Sequence, residues 1–411
     1  MSQPINDAHS YARVLRHHRH VAFLLLPAIL SGCATVMPPG QMKPHMTGHN
    51  TAPVTVASQQ RQLPELTTAL DLNAATNLEG IIPVLAEKRV VLVGEIHDRY
   101  DNHLMQLEII RRLHAVHPRL AIGMEMFQQP FQHILDDYIA GRVDEKQLLR
   151  DTEYYRRWRF DFRLYAPILE YARENHLPVV ALSLPSELTS KVGRAGISGL
   201  TASERKELPD EIDRSDAAYE ARLRKVFEHH PGVNGHGFEN FVDVQLLWDE
   251  GMAERAADYL RTHPDYTMVV LAGAGHLAYG SGVPRRLTRR LDVESAIVLA
   301  DWDGTLEPGL ADYLLLPQEQ SLPPSGKFGA LLDEDGGILR IDQCLPDSPC
   351  KLAGLRHGDQ IIAINGEAIT DLAGLRVATW DKYPGESVTI KVRRLHWFLP
   401  TQDLSYEIIL R

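Results

Sequence analysis

Short apolar runs alternate with amphipathic segments over most of the chain, and this alternation predicts its architecture. Continuous apolar runs predict buried strands at residues 89–93, 120–126, 179–184, 267–272 and 295–300. Apolar residues that recur about once per turn predict helices at residues 102–114, 131–149, 162–175, 203–228 and 238–262. Strands that alternate with helices form βαβ units, so the predicted fold class is α/β, with a mostly parallel sheet flanked by helices.

Changes in this pattern place the domain boundaries. Residues 33–62 are rich in Pro, Thr, Ser, Gln and Gly without a hydrophobic period, which predicts a flexible tether. The α/β pattern occupies residues 63–315, and the Pro-rich segment 316–325 predicts a linker. Residues 326–411 carry short strand patterns and turn signals, which predict a second, small β-rich domain.

The first 33 residues have the pattern of an export signal. A basic region with Arg13, Arg16 and Arg19 precedes the apolar run 21–30, which is too short to span a bilayer. The run ends at Leu-Ser-Gly-Cys33, which resembles a bacterial lipobox and implies a signal peptide at 1–32 with Cys33 as the lipidated residue. A buried apolar helix with an incidental cysteine is the alternative. Ala34 favours the outer membrane by resemblance, so the expected location is lipid-anchored in the cell envelope.

Charge and cysteine content narrow the partners and the compartment. The 411 residues carry a net charge of -11 at pH 7, which argues against generic nucleic-acid binding. The cysteines beyond Cys33 are Cys344 and Cys350, whose spacing permits a loop disulfide in the oxidising compartment that an exported protein meets. Two ordinary small apolar residues are the alternative.

Histidines and carboxylates follow three of the predicted strands. Glu95 and His97 come after the first strand, Glu125 lies at the end of the second, and His276 follows the fourth in a second Gly-x-x-His turn. Ligands of an open parallel sheet bind at the carboxyl ends of its strands. Imidazole with carboxylate suits a divalent metal or general acid–base catalysis, so these four residues are the candidate metal and catalytic site. Alternatively, the histidines cap helices and Glu95 pairs with a buried arginine or backbone amides.

Several stretches resemble the ChaN-like haem-binding lipoproteins of iron uptake. They are VVLVGEIHDRYDNHLMQLEII, AIGMEMFQ, WRFDFRLYAPILEYA, FENFVDVQLLWDEGMAERAADYL and VVLAGAGHLAYGSGVP. The resemblance covers residues 85 to 284 and is collinear with the family throughout. The resemblance implies membership of a superfamily with TraB, Tiki-type metalloproteases and erythromycin-esterase-like enzymes. It implies a Tiki/ChaN-like α/β domain with haem as cofactor and a tyrosine as ligand, although the superfamily contains both binders and hydrolases.

One segment carries the residue types that haem requires, which are an axial ligand, aromatic walls and cations for the propionates. The candidates are Tyr154, Tyr155, Tyr165, Arg156, Arg157 and Trp158. A neighbouring arginine is expected to lower the pKa of the ligating phenol. The alternative is an amphipathic helix whose tyrosines pack and whose arginines face water.

Other histidines lie near these candidates. His229, His230 and His236 lie between two predicted helices and are interpreted as a solvated turn, with a loop that reaches haem or a metal as the alternative. His103 follows the first Gly-x-x-His turn on a helix and faces either the site or solvent.

The C-terminal motifs Asp-Ser-Pro, Ala-Gly-Leu, Gly-Asp and Ile-Ile-Ala-Ile-Asn-Gly of residues 347–366 resemble a bacterial PDZ domain. The resemblance implies a peptide-binding loop at Lys327, Phe328, Gly329 and Ala330, whose amides would capture the C-terminus of a partner peptide. A PDZ domain that only packs against its neighbour is the alternative.

The sequence therefore supports three hypotheses. The first is a haem-binding envelope lipoprotein of haem or iron uptake whose PDZ domain recruits a partner. Haem shared between two subunits would require a homodimer. The second is a metal-dependent hydrolase or protease in which Glu95, His97, Glu125 and His276 hold a divalent ion that activates water. The third is an envelope scaffold with a vestigial site.

Overall fold

The computed structural model describes residues 74–228, 237–300, 302, 306–395 and 400–411. The predicted signal peptide, Cys33, the whole predicted tether 33–62 and the histidines His229, His230 and His236 lie outside the described residues. Within the described ranges, no helix is long and apolar enough to cross a membrane.

The first domain alternates strands and helices, as the hydrophobic pattern predicts. Its elements are α1 (Leu78–Ala86), β1 (Val90–Glu95), α2 (Tyr100–Val116), β2 (Leu120–Gln128), α3 (Gln132–Ile139), α4 (Glu145–Asp151), α5 (Tyr154–Arg157), α6 (Ala166–Glu174), β3 (Val179–Ser183), α7 (Ser186–Ala195), α8 (Ala217–Glu228), α9 (Gly237–Thr262), β4 (Thr267–Gly273), α10 (Val283–Arg290), β5 (Ser295–Ala300) and β6 (Tyr313–Leu315).

These strands form one sheet in the order β3-β2-β4-β1-β5-β6, and every pairing is parallel. The predicted α/β fold class is therefore confirmed, and the five predicted strands lie within two residues of their expected positions. The strand β6 has only three residues. So short a run gives little apolar signal, which is why the sequence did not predict it.

Two predicted helices are wrong because local backbone chemistry interrupts them. The predicted helix 131–149 is split into α3 and α4, and Gly141 after α3 has φ of 71°. Glycine adopts this left-handed conformation without steric cost and so ends a helix. The predicted helix 203–228 is reduced to α8 because Pro209 forces Leu208 into an extended conformation, with φ of −75° and ψ of 152°.

The sheet separates two hydrophobic cores. Alternate residues of β1 face opposite sides, so Val91 and Val93 pack in the core that contains α2, α3 and α6, whereas Val90 and Leu92 pack with α9 and α10. The adjacent strands β1 and β4 thus lead into helices on opposite faces. In a parallel sheet this arrangement opens a crevice at the carboxyl ends of the two strands.

The second domain is a small antiparallel sheet with two helices. Its elements are β7 (Ala330–Asp335), β8 (Ile338–Cys344), α11 (Pro349–Ala353), β9 (Gln360–Ile364), β10 (Glu367–Ala368), α12 (Leu372–Thr379), β11 (Ser387–Arg394) and β12 (Gln402–Ile409). The sheet order is β12-β11-β9-β8-β7, so β7 is an edge strand, and β10 pairs with β9. Cys344 and Cys350 form a disulfide with Cα atoms 5.5 Å apart, which settles the alternative that the sequence left open.

The two domains pack directly against each other and belong to one compact unit of the chain. The helix α12 contacts α4 and α5, and its residue Val377, which is 5% exposed, is part of the hydrophobic core beside α2. The predicted linker also packs against the first domain, since Arg163 donates a 2.9 Å hydrogen bond to the carbonyl of Pro323.

Candidate functional site

The ends of β1, β2 and β4 bring four of the predicted residues to one edge of the sheet. Glu95 is the last residue of β1 and is paired in register with Gly273 at the end of β4. Because Gly273 has no side chain, the ring of His97 fits against it, and a Cβ there would lie 2.9 Å from His97 Cε1. Glu125 Oε2 accepts a 2.7 Å hydrogen bond from the amide of Gly273. His276 lies three residues after Gly273, at the end of the short 3-10 helix Ala274–His276.

Glu95 is the buried centre of the first cluster. Its Oε1 lies 2.7 Å from His97 Nδ1 and accepts a 3.0 Å hydrogen bond from the hydroxyl of Tyr165, and its Oε2 lies 2.7 Å from His103 Nδ1. Burial raises the pKa of Glu95, but the charge and hydrogen bond of His103, followed by those of His97, hold it well below its usual range. Glu95 is thus an ionised carboxylate that orients two imidazoles, and it pairs with neither a buried arginine nor backbone amides.

His97 lies between this carboxylate and an aromatic wall. Its ring is 4.8 Å from that of Trp158 and 5.1 Å from that of Phe160, measured between centroids. Burial lowers the pKa of His97, but the hydrogen bond and charge of Glu95, with the charge of Glu125, outweigh burial and raise the pKa above its ordinary value. The side chain keeps 22% of its surface exposed.

His276 belongs to a second imidazole–carboxylate pair. Its Nδ1 lies 2.6 Å from Asp249 Oδ1, and the other oxygen of Asp249 accepts a 2.5 Å hydrogen bond from the hydroxyl of Tyr219. Glu125 Oε1 lies 3.5 Å from His276 Nε2. Burial lowers the pKa of His276, but the charges of Glu125 and Asp249 and the Asp249 hydrogen bond raise it to about 9.

A buried ionic network lies next to the Asp249–His276 pair. Arg286 is fully buried, with Nε 3.2 Å from Glu250 and Nη1 4.0 Å from Asp249. Asp249 and Glu250 are adjacent residues of α9, and both are completely buried. Sequence reasoning missed both, and it also missed Tyr219. An acidic pair in the middle of an otherwise apolar helix face was the signal that could have found Asp249 and Glu250.

The predicted metal site is not supported. Within the described ranges, no group of three or more His, Cys, Asp or Glu side chains could hold a metal ion. The physical reason is that the predicted ligands are already engaged with one another. The carboxylate of Glu95 holds His97 and His103, and the Nδ1 of His276 faces Asp249.

The three candidate tyrosines are buried. Tyr154, Tyr155 and Tyr165 are 1%, 8% and 0% exposed, so they pack in the core as the structural alternative expected. Burial raises the pKa of each tyrosine, and at Tyr155 it outweighs the lowering by the charges of Arg376 and Arg163. Tyr165 is the one that reaches the site, through its hydrogen bond to Glu95. Its assignment as a haem ligand stays a prediction.

The two candidate arginines are held in ion pairs. Arg156 pairs with Asp371 of the second domain. Arg157 pairs with Glu153 and Glu187 at 2.6 Å and 2.8 Å. Trp158 differs from them, because its ring packs directly on His97.

The predicted peptide-binding loop precedes the edge strand β7. Phe328 is buried and its carbonyl accepts a 2.7 Å hydrogen bond from the amide of Cys350, while Lys327 exchanges backbone hydrogen bonds with Arg411. Gly329 has φ of 72°, and a Cβ there would lie 2.5 Å from that of Ser348. The loop is therefore fixed from both sides. Ala330 begins β7, which within the described sheet pairs with β8 alone.

Comparisons with known proteins agree with the two-domain architecture. Residues 81–287 match a family model described as haem-binding uptake, Tiki superfamily, ChaN, and residues 327–400 match a PDZ domain model. The structure of cofacial heme binding to ChaN of Campylobacter jejuni matches with a TM-score of 0.49 and 17% identity, covering 59% of this chain and 92% of that one.

Two curated relatives match different parts of the chain. Protein RETICULATA-RELATED 5, chloroplastic, of Arabidopsis thaliana is 26% identical over 237 residues, which are 52% of this chain and 31% of that protein. The probable periplasmic serine endoprotease DegP-like of Chlamydia muridarum is 30% identical over 128 residues, which are 31% of this chain and 24% of that protein. The chain spans less than a third of the length of either relative. Because the family model covers just over half of the 411 residues, the chain belongs to the haem-binding uptake family ChaN of the Tiki superfamily, and it carries a C-terminal PDZ domain.

Proposed function

We propose that the α/β domain binds haem as cargo in the crevice at the ends of β1 and β4, in the service of haem or iron uptake. The observation that carries this proposal is the environment of His97. Its Nδ1 is held by Glu95, its side chain is partly exposed, and none of the described residues hydrogen-bonds to its Nε2. An imidazole fixed through one nitrogen and open at the other is suited to axial ligation of haem iron.

The surroundings of His97 fit a flat aromatic ligand. Trp158 and Phe160 offer apolar ring surface beside the imidazole, and Gly273, which has no side chain, lets the His97 ring lie close to the end of β4. Tyr165 is the second candidate for the iron ligand, because its hydroxyl shares Glu95 with His97. Ligation by Tyr165 would require loss of a proton that burial and the adjacent carboxylate hold in place. We therefore propose His97 first.

Absorbance titration with ferric haem tests this proposal. We expect saturable binding to the purified protein and at least a tenfold loss of affinity, about 1.4 kcal/mol, in His97→Ala. The affinity of the wild-type protein should rise with pH, because a raised pKa keeps His97 protonated and its Nε2 must lose a proton to bind iron.

Matched variants make this titration decisive. His357→Ala removes an exposed imidazole of the PDZ domain, 81% exposed at its side chain, and should bind haem as the wild type does. Tyr154→Phe, Tyr155→Phe and Tyr165→Phe test the predicted tyrosine ligands, since loss of a tyrosinate-type spectrum in one of them would name that ligand instead. No saturable binding by the wild type would overturn the proposal.

We further propose that the protein acts in the cell envelope, anchored through Cys33, and that its PDZ domain recruits the C-terminus of a partner. The disulfide Cys344–Cys350 supports an oxidising compartment. The free edge of β7, next to the loop at Lys327–Ala330, supports addition of a peptide strand.

Hydrolysis is the second candidate function, because the structure contains two imidazoles oriented by carboxylates. Glu95 orients His97 and Asp249 orients His276, while Glu125 lies between them at Gly273. This arrangement suits general acid–base catalysis without a bound metal. It replaces the metal-dependent mechanism that the sequence suggested.

A chromogenic ester assay with EDTA distinguishes this candidate from haem binding alone. If the site is hydrolytic, activity should persist in EDTA and fall about 100-fold or more in His276→Gln and in His97→Ala. Activity that requires an added metal, or that survives both substitutions, would contradict metal-free acid–base catalysis at this site.

A further inference from the structure

We propose that the PDZ domain forms part of the support of the crevice, and that Arg376 is a positioning residue that holds the aromatic wall against His97. The wall belongs to residues 153–163, called the arm below. This inference rests on the proposed function for the identity of the ligand. The positioning of His97 by the arm can be tested without any ligand.

The arm reaches the site at two aromatic residues. Trp158 and Phe160 both contact the ring of His97, and Trp158 also lies 6.4 Å from the ring of Tyr165. These rings pack against the His97 imidazole, whose side chain is 22% exposed. The exposure of His97 therefore depends on where the arm lies.

The opposite side of the arm is held by the helix α12 of the PDZ domain. Arg376 donates a 3.0 Å hydrogen bond to the carbonyl of Arg159, and its guanidinium lies 5.7 Å from the ring of Tyr155. One turn further along, Trp380 contacts Phe162 with ring centroids 5.2 Å apart. The helix α12 and Trp380, the residue that follows it, thus contact the arm before and after the Trp158–Phe160 wall in sequence.

The backbone of the arm requires this external support. Glu153 and Arg159 have φ of 51° and 75°, in the left-handed region that non-glycine residues avoid. Such conformations persist where surrounding contacts hold them. The carbonyl that Arg376 binds belongs to Arg159, the strained residue between the two wall residues.

The two domains share apolar packing at this contact as well. Val377 is buried in the core of the α/β domain, while its neighbours Leu375 and Ala378 are buried in the core of the PDZ domain. The helix α12 therefore contributes side chains to the hydrophobic cores of both domains. Loss of the Arg376 contacts should free the backbone at Arg159, between the two wall residues, while Tyr154, Tyr155 and Phe162 stay in the core of the α/β domain.

The test measures how fast diethylpyrocarbonate modifies each histidine of the full chain, using peptide mapping by mass spectrometry at several pH values. This reagent acylates neutral imidazole nitrogens that solvent can reach. In Arg376→Met we expect the modification rate of His97 to rise at least fivefold, with the exposed His357 unchanged as internal reference. Arg376→Lys should restore the wild-type rate, because the lysine ammonium can donate to the Arg159 carbonyl.

Arg393→Met is the matched control, since Arg393 is a PDZ arginine that pairs with Asp403 on the strands β11 and β12. It should leave the His97 rate unchanged. If Arg376→Met does not fold, Arg376→Ala, which also lacks a donor, carries the same expectation. A His97 rate within twofold of wild type in the folded Arg376 variant, or an equal rise in Arg393→Met, overturns the positioning role. A raised His97 rate in a protein that never binds haem would leave the positioning role standing and reject the haem proposal.

Discussion

Glu250→Ala is expected to lower the free energy of unfolding of the protein by about 3–5 kcal/mol, the cost of removing one partner from a buried ion pair. Glu250 is completely buried and lies 2.7 Å from Arg289, 2.5 Å from Arg290 and 3.2 Å from Arg286. It also accepts a 2.7 Å hydrogen bond from the amide of Asp213. Without this carboxylate the fully buried Arg286 would lose its nearest anion.

Glu254→Ala is the control for this substitution, because Glu254 lies one turn further along α9 and contacts the same arginine. It is 3.5 Å from Arg290 and its side chain is 28% exposed, so its loss should cost within about 1 kcal/mol. Urea unfolding followed by circular dichroism gives both values. If the two substitutions lowered the free energy of unfolding equally, burial of the carboxylate would not determine how much its ion pairs stabilise the protein.

The sheet was predictable because its strands are buried on both faces. A strand such as β1 is a continuous apolar run, which is typical of a parallel sheet covered on both faces. The breaks at Gly141 and Pro209 were legible in the sequence, but apolar periodicity on either side outweighed them in the prediction. Local backbone chemistry decided the boundaries of those helices.

The candidate site was predictable only where strand ends define it. Glu95, His97 and His276 follow strands, and the topology of a parallel sheet brings such positions together. Asp249 and Tyr219 lie on α9 and α8, and their approach to His276 depends on how those helices pack. Sequence periodicity shows which helix face is buried, but it does not show which residue the buried face meets.

The aromatic segment 154–165 also shows that the sequence does not reveal which residues a side chain contacts. Its composition made residues 154–165 the haem candidates, but the tyrosines pack inward, and Trp158 with Phe160 contacts His97. One partner of this segment, Arg376, lies more than 200 residues further along the chain. No local pattern links two segments that far apart, so the contact between domains required the structure.

The stability of the protein is expected to fall as pH rises from 6.5 to 9, with His276 as a main cause. The folded-state pKa of His276 is about 9, above its ordinary value of 6.5, because Glu125 and Asp249 favour the charged ring despite its burial. A raised pKa means that the folded state binds the proton more tightly. The stabilisation is therefore fully present below pH 6.5 and is lost as pH rises through 9. Its size is on the order of 3 kcal/mol.

Urea unfolding at a series of pH values measures this dependence. His276→Gln should be less stable than the wild type at pH 6.5 and should lose less stability between pH 6.5 and pH 9. Part of the slope should remain, because the pKa values of His97 and His103 are raised as well. Glu95, with its lowered pKa, acts on the acid side, where stability should fall as pH drops below 4.5.

The exposed imidazole of His357 gives the control, and His357→Gln should keep the wild-type slope. An unchanged alkaline slope in His276→Gln would mean that the Asp249–His276 pair does not hold its proton in the folded protein.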